Sequence, residues 1–119
     1  MNGALDVDLP PQDFEKFVRA FSEPYEGAWV KVSNRTKIHI KEIKVINKNK
    51  IYPNFANGRV IKKDHRGVYV IIGQGLVKFK YCFLNRKKTE SKKLIMMNDI
   101  LRNDIKTLSN AKNSIIKVK

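Results

Sequence analysis

Hydrophobic residues change their spacing near residue 29, and that change sets the architecture. Phe14, Phe17, Val18 and Phe21 fall at i, i+3, i+4 and i+7. That is one stripe on a 3.6-residue period and predicts an amphipathic helix over residues 11–21. Pro10 and Pro11 suit its first turn, Asp8 is placed to cap it, and Asp13 and Glu15 favour its positive end. Pro24 ends it, because proline lacks an amide donor and restricts the residue before it.

From Trp29 the period is two. Val30 and Val32 flank Lys31, Asn34–Arg35 reads as a turn, and Ile38 and Ile40 alternate with Lys37, His39 and Lys41. The phase slips at Glu42–Ile43, as a β-bulge would produce, before Ile43 and Val45 resume it. Residues 47–57 predict a long loop, 58–63 and 67–72 two short strands, and Gly73-Gln74-Gly75 a turn. A further strand is expected at 76–84, with Val77, Phe79, Tyr81 and Phe83 on the core face opposite Lys78, Lys80 and Cys82. Residues 85–93 predict a polar basic loop, and 98–108 a short closing helix capped by Asn98, with Ile100, Leu101, Ile105 and Leu108 inward.

These elements predict a mainly β domain with flanking helices: a small open antiparallel β-barrel, OB-like, entered from an N-terminal helix. Trp29 is expected to anchor the helix–barrel joint. Residues 1–8 read as an extension, 9–108 as the domain and 109–119 as a basic tail. At 119 residues and 42% hydrophobic, the chain is long and apolar enough for one core and too apolar for a disordered basic tail. Cys82 is the sole cysteine, so no intrachain disulfide forms. No signal or membrane-spanning pattern occurs, and a reducing cytoplasm is the expected location.

Charge sharpens the picture. Residues 1–30 hold six acids against Lys16 and Arg19, a net of −4; the rest hold 23 basic residues against five acids, a net of +18, giving +14 in all. Such a field attracts polyanions and weakens with salt. Lys31, Lys37, Lys41, Lys78 and Lys80 lie opposite the apolar side of their strands, so one shared sheet would carry them on one outer face. Arg35, Lys62, Lys63, Arg66, Arg86, Lys87, Lys88, Lys92 and Lys93 could extend that surface. Ammonium groups on long stems follow phosphates without reading sequence. An AT-rich coding bias, which inflates Lys and Asn, competes as an explanation. Phe79, Tyr81 and Phe83, on the expected core side, read as packing rather than as stacking platforms. With two histidines and one cysteine, the chain offers no metal cluster, nucleophile set or phosphate-cradling loop. It reads as non-catalytic.

Several segments resemble the C-terminal domain of formyltransferases, the methionyl-tRNA formyltransferase group above all. Leu9-Pro10, Phe17-Val18-Arg19-Ala20-Phe21 and Pro24-Tyr25-Glu26-Gly27-Ala28-Trp29 resemble the family's opening helix and "PGAW" turn. Thr36-Lys37-Ile38, Ile43, Asn57-Gly58-Arg59-Val60, Gly73-Gln74-Gly75-Leu76-Val77, Lys92-Lys93, Met96, Asp99, Leu101 and Arg102 fit later blocks. Glu26 stands where that family commonly has Pro, and Tyr81–Lys93 replaces its "LQ.eGKk" stretch. The resemblance implies an accessory domain that presents a basic surface to tRNA and follows a catalytic domain. That partner domain would carry the Asn, His and Asp that act on 10-formyltetrahydrofolate; no cofactor is expected on this chain. The related sugar N-formyltransferases imply an alternative, a scaffold or dimerisation module that binds no nucleic acid.

Overall fold

Every period-two segment forms a strand, but the strands divide between two sheets. The computed structural model describes residues 3–33 and 36–103. Helix α1 (Pro11–Ala20) leads into β1 (Ala28–Val32), β2 (Thr36–Ile40) and β3 (Lys44–Asn47). One turn of 3-10 helix (Asn54–Ala56) precedes β4 (Val60–Asp64), β5 (Gly67–Ile72), β6 (Gly75–Phe79), β7 (Tyr81–Leu84) and β8 (Lys87–Glu90). The short helix α2 (Ser91–Leu94) and β9 (Leu101–Arg102) follow. Strand order is β8-β7-β2-β1-β9 in one sheet and β3-β6-β5-β4 in the other. The pairings are antiparallel and both sheets are open.

Alternation puts Ala28, Val30, Val32, Ile38, Ile40, Cys82 and Leu101 of the first sheet against Val60, Val68, Val70, Ile72, Val77 and Phe79 of the second, in one core. Helix α1 adds Phe14, Phe17 and Val18, with Phe21 just beyond its end, and the Phe17 and Phe21 rings stack 4.9 Å apart. It packs on β3 and β6. Its N-cap is Pro10, whose carbonyl accepts from the Asp13 and Phe14 amides. Asp8 does not cap it. The Asp8 carboxylate instead accepts from Asn57 Nδ2 at 2.9 Å. Asn57 is buried, and its Oδ1 takes the Gln74 amide at 2.7 Å, so one amide side chain joins three loops. Residues 3–8 enter the core through Ala4, Leu5 and Val7, and Ala4 bridges Trp29 beside β1. At Gly73, φ is +54° and a Cβ would meet the Leu9 carbonyl, so the turn requires glycine.

Four expectations are corrected. The slip at Glu42–Ile43 is no bulge within a strand; it is where the chain leaves the first sheet for the second. A second crossing, at Lys80, splits the expected 76–84 strand into β6 and β7 and reverses its phase, so Cys82 is buried and Tyr81 is exposed. Residues 85–93 are no loop: Asn85 (φ 50°) and Arg86 (φ 68°) make the tight turn of a β7–β8 hairpin. Residues 98–103 are not helical. Asn98 has φ 68° and caps nothing, and Leu101 is buried with its amide donated to Gly58 O. The core contact and the strand-like hydrogen bonds outweigh helical propensity there. Ile105, Leu108 and the 109–119 tail lie outside the described residues.

Candidate nucleic-acid interface

The register of the five-stranded sheet determines what stands on its outer side. Trp29 opposes His39, His39 opposes Phe83, and Phe83 opposes Lys88, a row crossing β1, β2, β7 and β8. Beside it, Lys31 opposes both Lys37 and Arg102. Tyr81, opposite Glu90, lies on the same side one pleat along. Aromatic rings and cations are therefore interleaved. Lys37 Nζ sits 4.2 Å from the Trp29 ring centroid, Lys41 Nζ 4.7 Å from that of Phe83, and Lys88 and Lys80 4.4 and 5.6 Å from that of Tyr81. Such pairs gain about 0.5–1 kcal/mol each at exposed sites.

Trp29 thus stands at an outward position of β1 under a lysine, half-buried and packed against the edge of the core, while α1 packs on β3 and β6. Tyr81 and Phe83 likewise leave the expected core face, because the crossing at Lys80 turns them outward. These aromatics are the functional candidates that strand parity alone hides. The signal for them is the crossing: Lys80-Tyr81 puts two outward-facing residues in succession.

Acids meet this face at its rim. In the segment between α1 and β1, Glu23 pairs with Lys41 at 2.7 Å, and Glu26 takes Arg86 Nε at 2.8 Å while standing 3.8 Å from His39 Nε2. Gly27 has φ +106° and its missing side chain leaves room for the Lys41 stem, whose Cγ would stand 3.0 Å from a Cβ there. Burial pushes the His39 pKa below its ordinary value, Lys37 and Lys41 add to the fall, and Glu26 opposes it. The imidazole is therefore neutral at neutral pH. On β7, Cys82 points inward, opposite in sense to Phe83, and burial raises its thiol pKa, so it is an inert core residue.

The predicted basic residues separate accordingly. Lys31, Lys37, Lys41, Lys80 and Lys88 gather about the five-stranded sheet, with Arg86 and Lys87 at the hairpin end. Among the described residues, no carboxylate comes within 4.0 Å of Lys31, Lys37, Lys80, Lys87 or Lys88. Lys78 belongs to the other sheet, in a row with Tyr69 and Lys44, so the single shared sheet does not form. Lys62 pairs with Asp64 and covers Tyr69, while Lys63 Nζ donates to the Lys92 and Ile95 carbonyls at 3.3 and 3.4 Å. Arg66 lies in the β4–β5 turn, and Lys92 and Lys93 lie 4.0 and 3.6 Å from Glu90. Arg35 lies outside the described residues. No group of three or more potential metal ligands occurs among the described residues, and no described helix is long and apolar enough to cross a membrane.

The chain is thus a two-sheet open β domain with an N-terminal helix and one outer face on which rings and cations interleave. Its sequence matches the model of the formyl transferase C-terminal domain over residues 2–102, and the chain belongs to that family. The search of curated proteins gives no match.

Proposed function

We propose that this formyltransferase C-terminal domain holds tRNA, through the cations on the outer face of its five-stranded sheet. The reading rests above all on Lys31, Lys37, Lys80, Lys87 and Lys88, which lie about one sheet with no acid within ion-pair distance among the described residues. Affinity there comes from counterion release and orientation from the fixed sheet; lysines on such stems supply little base discrimination. The acidic rim at Glu23 and Glu26 repels phosphates from one edge and so limits where the backbone can run. The partner is an upstream catalytic domain in the cytoplasm, and 10-formyltetrahydrofolate with the residues that act on it belongs there. Titrating tRNA against the full chain at rising salt tests this. Several phosphate contacts require a steep linear fall of log affinity with log salt, and a flat dependence rejects the reading.

One observation favours the alternative, a scaffold or dimer contact in a sugar N-formyltransferase. Phe55 is 85% exposed, with Ile51 and Ile46 exposed on the same stretch of chain after β3 begins. Self-association that persists at high salt and is abolished by Phe55→Ser supports that reading; a monomer at all salt concentrations rejects it.

A further inference from the structure

We infer that the same face is a stacking platform for unpaired nucleobases, so that the occupant it is built for is a single-stranded segment of nucleic acid. The inference rests on the polyanion reading of this face and goes beyond it. A lysine surface alone serves duplex and single strand alike, because both present phosphates. Here, however, the cations stand over Trp29, Phe83 and Tyr81. A ring roofed by an ammonium on a flexible stem can exchange that roof for a base, and the displaced ammonium then meets the phosphate of the same nucleotide. Every base has a π-face, so such stacking is tolerant of sequence. A duplex keeps its bases stacked on one another and can use only the lysines.

Geometry supports the assignment. Trp29 and Phe83 lie in one row with only β2 between them, about 10 Å apart at the usual strand spacing. Between them is His39, held neutral by burial and its lysine neighbours, which adds a flat, uncharged ring to the row. Tyr81 opens into a groove along the β7–β8 hairpin lined also by Lys87, Lys88, Lys93 and Glu90; Lys93 is matched by Glu90, so Lys87 and Lys88 are the cations left to meet a strand leaving the platform.

The test uses the full chain with an oligouridylate and a blunt RNA duplex of equal phosphate count. Trp29 is the only tryptophan, so its fluorescence reports stacking without any substitution. The expected result is quenching by the oligouridylate and none by the duplex. Tyr81→Leu and Phe83→Leu each lower oligouridylate affinity roughly five- to a hundredfold, with the salt slope and duplex affinity unchanged. Equal binding of both probes, without quenching and without effect of either variant, overturns the stacking platform while leaving the polyanion reading intact. Binding of neither probe at low salt overturns both.

Discussion

The two sheets of this domain are built from the same alternating pattern, yet their outer faces differ in kind. On the four-stranded sheet, β5 is buried along its whole length: Tyr69 and Ile71, which alternate with core residues, are 7% and 2% exposed. Of its lysines, Lys62 meets Asp64 and the Tyr69 ring and Lys63 donates to two backbone carbonyls, while Lys44 and Lys78, opposite each other beside Tyr69, have no carboxylate within 4.0 Å among the described residues. On the five-stranded sheet the outward rings are half-buried or exposed, and the cations above several of them are not matched by acids. A lysine count does not distinguish these faces. What each ammonium rests on does.

That contrast can be broken or sharpened by substitution. Tyr69→Ala should destabilise the fold by about 3 kcal/mol, the cost of removing a buried aromatic, whereas Tyr81→Ala should cost under about 1 kcal/mol, as exposed positions do. Denaturant unfolding of both variants decides it, and equal losses would erase the distinction between the faces. Gly73→Ala should cost more than about 1 kcal/mol, since the left-handed backbone there suits glycine and a Cβ would strike the Leu9 carbonyl; its melting temperature reports this.

Lys63→Met should lose about 1–2 kcal/mol by freeing the carbonyls at the end of α2. Lys87→Met, at an exposed position, should be neutral in the same unfolding assay. In binding, Lys37→Ala should reduce the magnitude of the salt slope by about 1 if that ammonium meets one phosphate, and Lys63→Met should leave the slope unchanged.

The smallest effect is a pH dependence. His39 has its pKa lowered in the fold, so the unfolded chain binds the proton more readily. The stability this contributes is complete above the unfolded value of 6.5 and is lost as pH falls from there through the lowered folded value. His39→Gln should flatten that part of the stability–pH curve.

Much of the fold was legible in residue order. The stripe Phe14–Phe17–Val18–Phe21 gave helix α1, the Val and Ile alternations gave β1 and β2, and the turns on either side of 67–72 marked β5. The misreadings share a cause. At Glu42–Ile43 a phase slip looks the same whether a strand bulges or the chain changes sheets. At Lys80 the alternation of Phe79, Tyr81 and Phe83 runs on in sequence, while the backbone rotates and exchanges its inward residue for Cys82. Leu101 has the spacing of a helix face, but its backbone was claimed by Gly58 and its side chain by the core.

The sequence by itself determined a basic, mainly β domain with one leading helix and a single apolar core, because pleat and helix periods are local properties that any neighbour-by-neighbour reading can detect. Tertiary structure decided which lysines became companions. It sent Lys78 to one sheet and Lys37 and Lys88 to the other, tied Lys63 inward, and lifted Tyr81 and Phe83 out beneath the cations. Those outcomes depend on where the chain crosses between sheets, and a crossing is fixed by which strands pair across the whole molecule.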